Sequence, residues 1–226
     1  MKKNIFASLM AVILCLFAFT ACDIGLKDKT YNATDSSYFE FTEVEGGYAI
    51  SVKDGATLPE KIKLPIVYEG KEVVEISAEA FKGTAIKGVI IPEGYSIIGK
   101  EAFSGCENLE SVTIATQIGG TKKDLTVRYS AFKGCLKLAT VEFGESVKVI
   151  DAYAFSDTMI TKAIFKKVEK IGKKAFENCT TLSKVYIPAT LTDIADDAFD
   201  GCPNVKYESS VSNTVYDVVE NKIVKK

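Results

Sequence analysis

The chain has 226 residues, with 28 Lys and Arg against 30 Asp and Glu, a formal net charge of -2, no histidine and no tryptophan. Lacking histidine, it has lost the commonest general base and the commonest metal ligand together. Arg128 is the sole arginine, so the fork that reads phosphates and bases bidentately is scarcely available, and nucleic acid is not an expected partner.

Residues 1–21 read as a targeting segment. Lys2 and Lys3 precede an apolar run, "IFASLMAVILCLFAF", and small residues lead into Cys22 in "FTAC". This resembles a bacterial lipoprotein signal. The resemblance implies export and a lipid on Cys22, holding the protein on a membrane that its fold does not cross. An ordinary signal peptide or an uncleaved anchor are the competing readings. Residues 22–37 are polar and without periodicity, as a tether would be.

Residues 38–70 are predicted as an N-terminal capping segment. "YFEFTEVEGGYAISV" places two alternating runs around Gly46-Gly47, a hairpin pattern.

From 71 to 207 the chain repeats itself, which governs the fold. Ala-Phe pairs end at Phe81, Phe103, Phe132, Phe155, Phe176 and Phe199, spaced by 21 to 29 residues. Five residues before each phenylalanine stands Ile76, Ile98, Val127, Ile150, Ile171 or Ile194. Two residues after it comes a turn column: Gly83, Gly105, Gly134, Asp157, Asn178, Gly201. These residue types tolerate a left-handed backbone, so a sharp turn is expected in every unit. The next column holds Thr84, Cys106, Cys135, Thr158, Cys179 and Cys202. The next apolar residue follows three positions after each cysteine but two after each threonine. A β-branched alternating run then predicts a half-buried strand, for example "VTI" at 112–114 and "VYI" at 185–187.

Units this short cannot bury their own apolar face and must stack. The pattern I-x-x-x-A-F-x-G-C-x-x-L-x-x-V-x-I-P resembles the BspA-like, Treponema-type leucine-rich repeat of bacterial surface proteins. The resemblance implies a leucine-rich-repeat solenoid of about six turns, with a sheet on one face and surface roles in adhesion or partner binding. Residues 208–226 carry short alternating runs, "TVYDVV" and "KIV", and are predicted as a C-terminal cap.

Catalysis by Cys106, Cys135, Cys179 or Cys202 has little support, because a reactive thiol needs a base or cation to activate it. Their separations do not suit zinc ribbons. Free buried thiols filling a fixed turn slot are expected. Disulfides joining Cys106 to Cys135 and Cys179 to Cys202 remain the alternative in an oxidising compartment. Asp196-Asp197 and Glu40/Glu43/Glu45 read as solvated carboxylates, and no calcium-loop or phosphate-loop spacing occurs. No metal, cofactor or catalytic residue is therefore predicted.

Two surfaces remain. One is the outward column of the strands, Ile90, Thr113, Glu142, Ile164 and Tyr186. The other is the insertion at about 116–124, expected to project as a loop or hairpin. The expected function is non-enzymatic binding of a protein or another extracellular macromolecule, from a lipid-anchored position at the cell surface or facing the periplasm. A structural envelope component without a ligand is the alternative, followed by a carbohydrate-binding or hydrolytic envelope protein.

Overall fold

The computed structural model describes residues 32–116 and 120–226. The apolar leader, Cys22 and most of the tether lie outside those residues, as do 117–119 of the insertion. Within them the chain is a β-solenoid with a single short 3-10 turn at Ser36–Tyr38 and otherwise strands and turns.

Each unit contributes two short strands, not one. The aliphatic column before each phenylalanine is itself a strand. Parallel pairing runs Ile50↔Ile76, Ile76↔Ile98, Ile98↔Val127, Val127↔Ile150, Ile150↔Ile171 and Ile171↔Ile194. That ladder makes a first sheet of seven stacked turns. It begins with Gly47–Val52, so the segment expected only to cap the fold also supplies its first turn. The runs predicted as strands form a second parallel sheet, joined by Lys61–Lys63 from the capping segment, with Ile62, Val89, Val112 and Val141 paired in sequence and inward-facing. The second sheet breaks after Thr140–Phe143 and resumes as a separate three-stranded piece: Lys162–Ile164, Lys184–Ile187 and Lys206–Ser209. Buried β-branched residues suit such parallel ladders, which are covered on the inner face.

Between the sheets the Ala-Phe turns stack into a third ladder. From Phe81 to Phe176 each phenylalanine N–H donates to the alanine carbonyl of the next turn, at 2.7 Å from Phe81 to Ala102 and 2.9 Å from Phe176 to Ala198. The rings follow the backbone. Successive centroids lie 4.8, 5.0, 5.0, 5.3 and 5.2 Å apart from Phe81 to Phe199, all within 16° of parallel. Phe39 closes the N-terminal end edge-on and Tyr207 closes the C-terminal end edge-on. Burying each such ring contributes about 1.5–3 kcal/mol.

Two backbone positions per turn are left-handed. The turn column is one, with φ between 59° and 72° from Gly83 to Gly201. The other lies two residues before the phenylalanine, at Glu79, Glu101, Ser130, Tyr153 and Lys174, with φ of 53° to 58°. Those residue types do not favour that conformation. The amides of Glu79, Glu101, Ser130 and Tyr153 donate to the next turn, as in Glu101 N–H to Tyr129 O at 3.0 Å, which keeps the strained geometry in place.

Both ends carry antiparallel hairpins. Phe39–Val44 covers the edge of Gly47–Val52, and Phe41 stacks on Tyr68 at 3.7 Å. Tyr216–Val219 returns as Lys222–Lys225 through Glu220 and Asn221, both at positive φ, the two-residue turn whose twist matches its strands. The Asn221 side chain bonds Tyr207 N–H and Val205 O, fastening this hairpin to the last turn.

The insertion does not stand away from the body where it is described. Ala115 adopts a φ of 53° at a bulge in its strand. Gly120 then passes so close to the Glu93 carbonyl that a Cβ there would overlap it. Thr121 donates to the Glu72 carboxylate through its hydroxyl and its N–H, and Lys123 Nζ lies 2.7 Å from the same carboxylate. The extra residues cross the outside of earlier turns because a half-buried glutamate 49 residues upstream holds them there.

Candidate interaction surface

The repeat cysteines are free and buried. Each thiol donates to the phenylalanine carbonyl of the preceding turn: Cys106 to Phe81 at 3.0 Å, Cys135 to Phe103 at 3.1 Å, Cys179 to Phe155 at 3.2 Å and Cys202 to Phe176 at 3.1 Å. In the shorter unit Thr158 instead donates to the carbonyl of its own turn, Phe155, at 2.9 Å. Its hydroxyl also meets Cys179 Sγ at 3.2 Å. Within each cysteine pair the shared hydrogen bond, then burial, pushes Cys135 and Cys202 up from the ordinary thiol range. The same hydrogen bond pulls Cys106 and Cys179 down against burial. The geometry is that of a packing slot with a built-in acceptor.

The outer face of the second sheet carries the predicted contact column in regular register. Ile90, Thr113 and Glu142 pair directly across three strands, and Ile164 and Tyr186 pair across the next two. The five predicted contact residues thus form two rows, separated by the break in the sheet. Ile164 is 42% exposed, while Ile90, Thr113 and Tyr186 are half-buried and Glu142 is exposed. A parallel row two residues earlier runs Lys61, Gly88, Ser111, Thr140 in the first piece and Lys162, Lys184, Lys206 in the second. Beside the break a cavity of about 320 Å³ is lined by Glu93, Glu142, Glu145 and Lys166. Hydrogen bonding from Lys122, then the nearby Lys167 charge, lowers the Glu145 carboxyl below its usual range. Glu93 is buried and accepts from Ser146 Oγ at 3.3 Å. Among the described residues, no group of three His, Cys, Asp or Glu side chains is placed to hold a metal ion.

One surface aromatic pair, an exposed Tyr129 and a half-buried Tyr153, was not anticipated from sequence. Tyr129 and Tyr153 meet edge-on at 5.7 Å, with Lys100 over the first ring and Lys133 over the second. The repeat alignment assigns their positions no consistent residue type, so only their both being tyrosine in neighbouring units could have marked them. Asp196 and Asp197 lie on the last turn, outside any row shared with the predicted contact residues.

Among the described residues no helix is long and apolar enough to cross a membrane. Comparison with solved structures finds the same fold in three bacterial proteins. A leucine-rich-repeat protein of T. pallidum is 22% identical with a TM-score of 0.55, covering 77% of this chain and 70% of that one. A leucine-rich cell surface protein of Faecalibacterium prausnitzii is 21% identical with a TM-score of 0.59, covering 87% of this chain and 59% of that one. A leucine-rich-repeat protein of Eubacterium ventriosum is 21% identical with a TM-score of 0.57, covering 87% of this chain and 48% of that one. This chain therefore spans about half to seven-tenths of those proteins. No curated protein matches it in sequence. Residues 74–206 match the BspA type leucine-rich-repeat region in six copies. The chain belongs to the BspA-type leucine-rich-repeat family.

Proposed function

We propose that this protein is a non-enzymatic, lipid-anchored envelope component that binds an extracellular macromolecule through the outer face of its second sheet. The observation that carries this reading is the pair of in-register outward rows, Ile90–Thr113–Glu142 and Ile164–Tyr186. They offer a long, partly apolar surface. Anchoring through Cys22 is supported by the sequence leader alone, and the cell-surface description of the F. prausnitzii structure is consistent with an exposed location.

Two experiments test this. Cys22→Ser should move the protein from the membrane fraction to the soluble exported fraction, and unchanged fractionation would remove the anchor. Purified protein should capture extracellular macromolecules in a pull-down, and Ile164→Asp with Tyr186→Ala should abolish that capture. Undiminished capture by the double variant would take the binding role away from this face. No capture by the unaltered protein would favour a structural component without a ligand.

A further inference from the structure

We infer that the C-terminal piece of the second sheet is a binding site for a linear acidic glycan, one bearing carboxylate or sulfate groups along its length. The inference rests on the reading of that face as the binding face and narrows its partner to one chemical class.

Several lysines of this protein meet a carboxylate of a neighbouring turn. Lys87 pairs with Glu60, Lys82 with Glu101, Lys148 with Glu169 and Lys170 with Asp193, at 2.6 to 2.7 Å. The row Lys162–Lys184–Lys206 gathers three lysines with one such contact among them. Its three ammonium groups stand on directly paired residues of adjacent parallel strands, a like-charge arrangement that weakens a sheet. Lys184 alone has a counter-charge, Glu208 at 2.8 Å. Among the described residues Lys162 and Lys206 are exposed and pair with no carboxylate. A chain of net charge -2 with 30 acidic residues has acids to spare, yet Glu208 alone reaches this row.

The row lies along the solenoid axis with one positive charge per strand, a step of ~4.8 Å. It matches an extended polyanion laid parallel to that axis. Beside it, on the same outward face, run Ile164, Tyr186 and Glu208. The exposed Ile164 side chain and the half-buried Tyr186 ring give an apolar strip against which the flat face of a sugar ring can lie. The charged row sits at one edge of that strip. The site has a polar limit as well: across the break the row turns to Thr140, and the neighbouring residue becomes Glu142, next to Glu145.

Two other polyanions fit less well. Nucleic acid is recognised best by arginine forks, and the sole arginine sits on the first sheet beside Asp151. An acidic peptide would be served by the lysines but has no use for the aromatic strip. Lysine ammonium groups are point charges suited to freely oriented carboxylate or sulfate groups.

The test uses the full chain with two probes, heparin as a sulfated glycan and polygalacturonate as a carboxylated one, with polyglutamate and single-stranded DNA as competitors. At least one glycan probe should bind with an affinity that falls steeply as salt rises. Lys162→Glu with Lys206→Glu should weaken that binding tenfold or more. Lys53→Glu with Lys225→Glu makes the same change of charge elsewhere and should alter it less than twofold. Tyr186→Ala should weaken glycan binding severalfold and leave any polyglutamate binding unchanged. Lys162→Gln with Lys206→Gln serves as the second variant if the first loses its native circular dichroism.

The proposal is overturned if neither glycan binds, if the control variant loses as much as the lysine-row variant, or if polyglutamate or DNA binds as tightly as the glycans. Running the pull-down of the preceding section on the same variants separates the two readings. Capture that still depends on Ile164 and Tyr186, without glycan binding, removes the glycan alone. Loss of both dependences removes the face.

Discussion

The Cys106 thiol donates to the Phe81 carbonyl oxygen across 3.0 Å, joining two consecutive turns through a side chain. The same carbonyl receives the Thr84 N–H at 3.1 Å, so the sulfur adds a second donor to an acceptor that is already satisfied. Its contribution is therefore mainly volume and fit, which is why threonine can occupy the column in other units.

The first prediction concerns the reactivity of that column. All four repeat thiols are nine-tenths or more buried, so a reagent reaches them only when the fold opens, even at Cys106 and Cys179, where the shared hydrogen bond favours the thiolate. In native buffer a thiol reagent should modify Cys106, Cys135 and Cys179 only at the rate of global opening. Cys202, at the less covered end, should be the first to react. In denaturant all four should react at once. Rapid native labelling of Cys135 would show that the slot opens far more easily than its packing allows. Cys135→Ala should cost about 1–2 kcal/mol, mostly from the cavity it leaves.

The second prediction uses the ring ladder. Phe155 is fully buried and stacked on both sides, by Phe132 at 5.0 Å and Phe176 at 5.3 Å. Phe143 also meets it edge-on. Phe155→Ala should therefore cost ~3–5 kcal/mol. Phe199 is stacked on one side only and keeps 8% exposure. Phe199→Ala should cost clearly less, roughly half as much. Urea titrations of the two variants decide this, and equal losses would mean that the ladder does not set stability by position.

A third prediction separates the two left-handed columns. A Cβ at Gly105 would meet open space, so Gly105→Ala is penalised only by its φ of 69°, about 1–2 kcal/mol. Gly105→Asn should cost less, because Asn178 and Asp157 already occupy the column. Ser130 has a non-glycine side chain forced to a φ of 53°. Ser130→Gly should therefore be neutral or stabilising by up to ~1 kcal/mol, the reverse of the usual loss on adding glycine inside a regular element. A loss beyond ~1 kcal/mol in the same titration would mean that its hydroxyl or packing outweighs the strain.

How far the sequence alone discloses this fold depends on whether each constraint is carried by side-chain type. The inward phenylalanine, the turn glycine and the V-x-I strand each demand a residue class, so six aligned units display them. The first sheet was hidden because its strands shrink to two residues at Ile97–Ile98, Lys170–Ile171 and Asp193–Ile194, too short for alternation to register. The second left-handed column was hidden for a different reason. Glu79, Glu101 and Tyr153 are held there by backbone bonds to the next turn, a tertiary cause that leaves no mark on composition. The outward rows were legible as residues but not as a surface divided in two. Nothing in "VEF" or "AIF" announces that the ladder breaks between them. The insertion is legible as an extra length and not as a strap, because its partner Glu72 lies two turns upstream.

The fourth prediction follows from that partner. Burial alone would raise the Glu72 carboxyl, but hydrogen bonds from Lys123 and Thr121 outweigh it and hold it below its usual value of 4.5. A group whose folded pKa is depressed contributes stability that is fully present above its unfolded pKa and lost as pH falls through the folded one. The strap formed by residues 120–124 should therefore stay fastened at pH 7 and loosen below about pH 4.5, before the phenylalanine ladder responds. Native-state hydrogen exchange at the Thr121 amide should show protection falling as pH drops below 4.5, once the intrinsic exchange rate is corrected for pH. Protection at Phe132 should hold over the same interval. Glu72→Gln should produce the loosened state already at neutral pH, since the ion pair with Lys123 is gone while Thr121 keeps an acceptor. If the Thr121 amide in that variant remains as protected as in the unaltered protein, the carboxylate is not what holds the strap.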